Sequence, residues 1–184
     1  MSDPSFAASG AALSPLATTQ SLLQSLRDGD LSGEILPEQE ILPGLRFVPD
    51  PEAGMRGRYA SPAGRLLELE VTHAAPARWF GLHLRLDLDE LSNLALIGLA
   101  ARFAARQALP VRPCIRSGTE TGFVDSFFDK TIAALPRPLL HLDVIETQGP
   151  HPALAAPAPW RELVLFLPTG DFRLDLHDLR VFAA

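Results

Sequence analysis

Trp79 stands at the start of an alternating segment whose polar side chains could bind a sugar. Gly81, His83 and Arg85 follow it at every second position, so in a β-strand they all point to the face that Trp79 occupies. An exposed indole ring beside a glycine would form a shallow groove with an aromatic wall, and neighbouring charged groups can bind sugar hydroxyls. The alternative is that Trp79 only begins the strand and covers the edge of the core.

Arg112 and Arg116 form the second set of candidate ligand-binding residues. They share one face of a predicted strand at residues 111–116. Their guanidinium groups could bind anionic sugars or carboxylates through two parallel hydrogen bonds. The alternative is that they pair with a neighbouring acid, such as Glu120 or Asp125.

No recognised catalytic motif occurs in the chain. There is no Gly-x-Ser-x-Gly elbow, no phosphate-binding glycine loop, no His-Glu-x-x-His and no pair of cysteines for zinc. The five histidines are too scattered for a recognised metal spacing: His73, His83, His141, His151 and His177. We therefore predict that the protein is not an enzyme.

Composition and charge narrow the possible functional classes of the protein further. The 184 residues are 47% hydrophobic, enough for one sizeable core, and the formal charge of -6 without a basic cluster disfavours nucleic-acid binding. Cys114 is the single cysteine, so no intramolecular disulfide can form. The N-terminus lacks the features of a secretory signal, and no apolar run approaches the roughly 20 residues of a membrane span. We expect synthesis in the cytoplasm. Whether the protein later leaves as part of a released particle is left open.

The C-terminal residues 160–182 predict two strands joined by a tight turn at 168–171. The first, 162–167, is apolar enough to be covered on both faces. Trp160 precedes it, which favours anchoring in the core over stacking on a ligand. The second strand alternates, but two polar residues fall together at His177 and Asp178, so a β-bulge there would return the later apolar residues to the core.

The middle of the chain predicts a series of short strands. Residues 65–72 and 78–89 alternate cleanly and predict an antiparallel hairpin with one wet face. Residues 93–106 are interpreted as a buried central strand, with a helix as the alternative. Further strands are predicted at 111–116, 123–128 and 137–146, with a loop at 117–122. In the last of these strands, Leu140, Leu142 and Val144 form the apolar set, opposite His141 and Asp143.

The N-terminal part predicts a short helix at residues 15–27. Ser14 would be its N-cap, and its apolar stripe consists of Leu16, Leu22, Leu23 and Leu26. The stripe could pack on the chain's own domain or dock on a protein partner. We divide the chain into a mobile segment with this helix, residues 1–39, and a β domain, residues 40–184.

Together these elements predict an all-β fold, an antiparallel jelly-roll β-sandwich of about seven to nine strands with a short N-terminal helix. Their order resembles that of carbohydrate-binding modules with a galactose-binding-like jelly roll, over roughly residues 40–183. The resemblance rests on the strand Leu-Ala-Leu-Ile-Gly-Leu-Ala-Ala-Arg-Phe at 94–103, on Trp160 before the penultimate strand, and on the closing strand at 176–182. It also implies that Asp178 lies where related modules place a structural calcium ligand; the alternative is a bulge residue that bonds to backbone.

The resemblance and the missing catalytic motifs imply a non-catalytic protein that binds a bacterial surface or capsular polysaccharide. A second hypothesis is a structural or adaptor protein of a phage-like particle, such as a head spike or fibre component. In that case the N-terminal segment would be the part that binds a protein partner.

Overall fold

The computed structural model describes residues 16–73, 75–88, 90–148, 154 and 157–184. They form a β-sandwich of two antiparallel sheets with one helix, α1 (Ala17–Asp28), which confirms the predicted fold class. One sheet has six strands, in the spatial order β1 (Leu31–Glu34), β4 (Arg56–Ser61), β5 (Leu67–Thr72), β13 (Phe172–Ala183), β7 (Leu96–Ala104) and β11 (Leu139–Glu146).

The other sheet has seven strands. Six of them follow the spatial order β10 (Ile132–Ala134), β8 (Leu109–Thr119), β12 (Arg161–Phe166), β6 (Phe80–Leu86), β3 (Leu45–Pro49) and β2 (Glu40–Leu42). The seventh, β9 (Gly122–Phe127), pairs with β8 beyond the end of β10. The strand count exceeds the sequence estimate because several strands are only three or four residues long.

β7 is an interior strand of the six-stranded sheet, so the interpretation of residues 93–106 as a strand is confirmed, although β7 lies next to the edge strand and not at the centre. β7 pairs with β13 on one side and β11 on the other. Leu99, Ala101 and Phe103 point into the core. Gly98 faces outward beneath the ring of Phe182, which occupies the space that a side chain at this position would need.

The predicted β-bulge in β13 is also confirmed. The pairing with β7 shifts register between Leu176 and Asp178. Leu176 before the shift and Leu179 after it are both buried. The extra residue therefore keeps both apolar sets of this strand in one core.

Two predicted connections are wrong, because their strands lie in opposite sheets. β5 belongs to the six-stranded sheet and β6 to the seven-stranded sheet, and β13 and β12 are divided in the same way. Residues 73–79 are long enough to cross the roughly 10 Å between packed sheets. Alternation could not reveal this, because each sheet has one buried face and gives its strands the same pattern.

The interpretation of β11 is wrong about which face is buried. Leu140, Leu142 and Val144 are exposed, by 70%, 55% and 41%, while Asp143 is buried. β11 is an edge strand paired only with β7 among the described strands. Its inward face is completed by Ile145, opposite the core residue Ile97 of β7.

Helix α1 packs on its own sandwich. Leu16, Leu23 and Leu26 are each 1% exposed and belong to the main hydrophobic core. The predicted cap Ser14 lies outside the described residues, and the helix begins after Leu16. The predicted division at residue 39 does not coincide with a gap in packing, since β1 pairs with β4. Among the described helical residues, none form a span long and apolar enough to cross a membrane.

Candidate functional site

The outer face of the seven-stranded sheet brings together four of the predicted ligand-binding residues, His83, Arg85, Arg112 and Arg116. The strand pairing places Arg116 opposite Glu162 of β12, and Glu162 opposite Arg85 of β6. On the same face, His83 is the next outward-facing residue along β6, and Arg112 is the second along β8, opposite Phe166. Alternation assigned the two residues of each strand to one face, and the pairing of β6 and β8 with β12 brings the two sets onto a common surface.

A groove crosses this face. It consists of two neighbouring cavities, of about 480 Å³ and 560 Å³, which share Glu40, Arg46, Trp160 and Glu162. The smaller cavity extends over Phe123 and Arg116 towards β9, and the larger one extends over Arg85 towards α1. The residues common to both cavities define the centre of the groove.

Trp160 forms part of this centre, contrary to its interpretation as a core anchor. It is half-buried, and its indole ring lies over Gly118, where an added Cβ would stand 2.5 Å from the indole nitrogen. The N–H of Gly118 donates to the carbonyl of Trp160 at 2.9 Å. β8 continues through this glycine instead of ending in the predicted loop, so the ring rests on a strand.

Glu162 is the ionic centre of the groove, and sequence reasoning missed it. One carboxylate oxygen lies 2.8 Å from Nδ1 of His83, and the other lies 2.7 Å from the guanidinium of Arg46. Burial alone would raise the pKa of Glu162, but the hydrogen bond with His83 and the charge of Arg46 outweigh it and lower the pKa. Glu162 is therefore an ionised acceptor at neutral pH and is unsuited to donate a proton as a general acid.

Arg116 pairs with Asp125, the alternative that the sequence left open. The two N–H···O distances are 2.7 Å and 2.8 Å. Burial alone would lower the pKa of Arg116, but the hydrogen bonds and charge of Asp125 raise it. The guanidinium also lies 3.8 Å from the ring centre of Phe123, so the ion pair holds this arginine against the aromatic edge of the groove.

Arg112 has a related position two outward-facing residues from Arg116 along β8, opposite Phe166. Its guanidinium carbon lies 4.4 Å from the ring centre of Phe127. Phe127 in turn stacks on Phe166 of β12, with ring centres 5.8 Å apart. The surface that borders the groove on this side is therefore built from arginines and phenylalanines together.

Trp79, the predicted aromatic wall, lies outside the groove and lines neither cavity. It is half-buried before β6, and its carbonyl accepts a hydrogen bond from the N–H of Asp50. Arg78 lies 4.8 Å from the centre of its ring. Alternation places Trp79 on the same face as His83 and Arg85, but it lies at the end of β6 that is far from Trp160.

Asp178, the predicted calcium ligand, lies in the six-stranded sheet at the bulge of β13. Its carboxylate pairs with Arg27 of α1 at 2.5 Å and with Arg180 at 3.3 Å, and it accepts from the N–H of Leu179. No group of three metal-ligating side chains occurs among the residues that the structure describes. Calcium needs six to eight oxygens, so these contacts fit a residue that ties the helix to the sheet.

Another cavity, of about 800 Å³, lies on the six-stranded sheet, but the residues that line it differ in kind from those of the groove. Tyr59 is the single aromatic residue among those that line it, and its ring packs on the core residue Phe47, 6.1 Å between centres. Arg58 and Arg173 both pair there with Glu70. The combination of an aromatic plate with fixed polar groups is a property of the groove on the other sheet.

Cys114 lies on the outward-facing side of β8 but is fully buried. Burial raises the pKa of its thiol to about 12. The reactive form of cysteine is the thiolate, so this residue is not a nucleophile at neutral pH.

No protein-family model matches this chain, and the search of curated proteins found no match. Solved structures do match. A carbohydrate-binding module of family 4 aligns with a TM-score of 0.52 at 16% identity, covering 77% of this chain and 96% of its own. A xylan-binding domain of family 22 from Paenibacillus barcinonensis gives 0.51 at 10% identity, covering 83% and 92%.

A family 11 module from Clostridium thermocellum, in complex with a β-1,3-1,4-mixed-linked tetrasaccharide, aligns with a TM-score of 0.51 at 9% identity, covering 85% of this chain and 98% of its own. These likenesses confirm the predicted resemblance at the level of the fold. The chain has the β-sandwich of carbohydrate-binding modules, and function must be argued from its own groove.

Proposed function

We propose that this protein is a non-catalytic glycan-binding protein whose ligand lies in the groove of the seven-stranded sheet. The observation that carries the proposal is Trp160, held over Gly118 at the centre of the groove. A flat aromatic surface of this kind packs against the apolar face of a pyranose ring. Phe123, 52% exposed, adds a second aromatic surface at the β9 end.

The polar groups around Trp160 are held in place before any ligand arrives. Arg46 and His83 are fixed by the same carboxylate, that of Glu162, and Arg116 is fixed by Asp125. Groups whose positions are already determined lose little entropy on binding. They can therefore bind sugar hydroxyls at a low cost in ordering.

The groove is long enough for an extended chain of sugars. Its lining residues come from β9, β8, β12, β6, β3 and β2, and five strand spacings amount to about 24 Å. This length favours a polysaccharide over a single terminal sugar. We propose a bacterial surface or capsular polysaccharide as the ligand, in line with the expectation drawn from the sequence.

Glycan arrays of capsular and cell-wall polysaccharides, followed by calorimetric titration, test this proposal. We expect Trp160→Ala to weaken binding by about 2 kcal/mol or more, roughly 30-fold, as truncation of a central aromatic contact does. Trp79→Ala is the matched control and should leave the affinity unchanged. Equal losses in both variants, or no loss in Trp160→Ala, would contradict the assignment of the groove.

The alternative function, a structural or adaptor protein of a phage-like particle, remains a prediction. The exposed apolar side chains of β11 are the feature that favours an assembly role. Gene neighbourhood separates the two functions at little cost: capsid and tail genes next to this gene favour the particle, and polysaccharide synthesis genes favour the glycan-binding function alone.

A further inference from the structure

The six-stranded sheet carries an exposed apolar face at its β11 end. Leu140, Leu142 and Val144 form one column of it. In the strand pairing, Ala100 of β7 lies beside Leu142. Gly98 of β7 lies between Val144 of β11 and Phe182 of β13, so Phe182 belongs to the same row as Val144. We call this set of five residues the apolar face. Contiguous exposed apolar side chains of this kind mark an interaction surface.

Part of the backbone edge of β11 is occupied by Lys130 and Asp143. Lys130 Nζ lies 3.4 Å from the carbonyl oxygen of Leu142. The backbone N–H of Lys130 donates to the carboxylate of Asp143 at 2.8 Å. The N–H of Val144 donates to the same carboxylate at 3.0 Å. A lysine and an inward-pointing acid are among the devices by which proteins block edge-to-edge pairing. These contacts favour a partner that approaches the face over one that adds a strand at the edge.

The two ends of the apolar face carry opposite charges. Arg102 lies beside Leu140 at one end, and Glu146 follows Val144 at the other. Both are exposed, and neither has an ion pair with another residue that the structure describes. Asp178, the acid nearest to Arg102 in the pairing, is shared by Arg27 and Arg180, so this end has an excess of positive charge.

We propose that the apolar face binds a second copy of this chain through a two-fold axis that reverses the strand direction. Such an axis lays the leucines and valine of one copy on those of the other. It also brings the arginine end of each copy to the glutamate end of its partner, since the charges lie at opposite ends of one strip. A surface that complements itself in this way closes as an isologous dimer.

The arrangement has the usual anatomy of a protein interface, an apolar centre with arginine and acidic residues at its rim. The apolar face also lies on the sheet opposite the groove. A dimer of this kind leaves the groove of each copy open to solvent. The proposal does not depend on what the groove binds.

Sedimentation velocity of the full chain over a range of concentrations tests the proposal. We expect a monomer–dimer equilibrium in the wild type and a monomer for Leu142→Asp, which places a charge in the centre of the contact. Leu36→Asp is the matched control, because Leu36 is 49% exposed outside the apolar face; it should dimerise like the wild type. A wild type that stays monomeric, an oligomer larger than a dimer, or a dimer that survives Leu142→Asp would overturn the proposal.

A charge exchange tests the orientation independently of any effect on folding. Arg102→Glu and Glu146→Arg should each raise the dimer dissociation constant roughly five-fold or more, because each places like charges at both contacts. The double variant restores opposite charges and should recover dimerisation. If both single variants weaken the dimer and the double variant does not recover it, the antiparallel two-fold arrangement is wrong.

Discussion

At the scale of single residues, the groove depends on pairs in which one residue fixes another. Gly118 leaves the space that the ring of Trp160 fills. Glu162 holds Arg46 and His83 through its two oxygens. The first pair shapes an aromatic surface and the second orients the polar groups beside it, so both parts of the proposed sugar site are built into the strands.

The charge of Glu162 should make part of the protein's stability dependent on pH. Its pKa in the folded protein is lowered below the ordinary value of 4.5, so the folded state binds fewer protons than the unfolded chain there. The stabilisation is therefore present above pH 4.5 and is lost as the pH falls through the lowered pKa. We expect Glu162→Gln to be less stable than the wild type by about 1–3 kcal/mol at pH 7, with a difference that shrinks under acid conditions.

Urea unfolding at pH 7 and at about pH 3 measures this difference. Glu120→Gln, which changes an exposed carboxylate in the turn between β8 and β9, controls for the loss of one negative charge. A difference between the wild type and Glu162→Gln that is as large in acid as at neutral pH would show that ionisation of Glu162 is not its source.

Sequence reasoning predicted the face on which the groove lies better than it predicted the centre of the groove. The parity of His83 and Arg85 was sufficient to place them on one surface, because the side-chain period of a strand is two. Trp79 has the same parity and was preferred, yet Trp160 lines the groove. Trp160 lies two residues before Glu162, so alternation places both side chains on the same face. That Gly118 lies beneath the indole ring follows only from the pairing of β12 with β8.

At the scale of elements, helix α1 covers part of the core between the two sheets. Besides its buried leucines, Thr19 donates to the carbonyl of Arg85 in β6, and Gln20 donates to the carbonyl of Val181 in β13. The hydroxyl of Ser61 donates to the carbonyl of Leu26. These contacts reach both sheets, so the helix is a structural part of the sandwich.

We expect Leu23→Ala to destabilise the protein by about 2–5 kcal/mol, because Leu23 is 1% exposed and its removal leaves a cavity. For a chain of this length the melting temperature should fall by at least about 4 °C. Ser21→Ala, on the exposed side of the same helix, is the control and should melt like the wild type. Removal of residues 1–30 should have a larger effect or cause aggregation.

A melting temperature that is unchanged by Leu23→Ala and by the truncation would contradict the structural role of α1. It would favour the other hypothesis drawn from the sequence, in which the apolar stripe serves a partner chain.

The elements themselves were largely predictable, and their arrangement was not. Alternation identified β5, β6 and β13, including the bulge, because burial of one face imposes that pattern locally. It could not assign strands to sheets, since both sheets impose the same period. In β11 it failed on the direction of the side chains, because an edge strand carries apolar residues on both faces and Asp143 turns inward to bond backbone and Lys130.

At the scale of the whole molecule, the two sheets present surfaces of different character. The seven-stranded sheet carries the groove, with Trp160, Phe123 and the ionic pairs around Glu162. The six-stranded sheet carries the apolar face at its β11 end. If both proposals hold, one sandwich binds a glycan on one side and a second copy on the other, and two grooves joined in a dimer would bind a repeating polysaccharide with increased avidity.

The central claim is that glycan binds in the groove of the seven-stranded sheet. It is tested most directly by nuclear magnetic resonance of the indole N–H groups during titration with the glycan that the array identifies. The chain has two tryptophans, so two indole signals arise, and the Trp79→Phe variant assigns them. We expect the Trp160 signal to shift with saturating behaviour while the Trp79 signal stays in place. A shift of Trp79 alone, or saturated binding with neither signal moved, would contradict the claim.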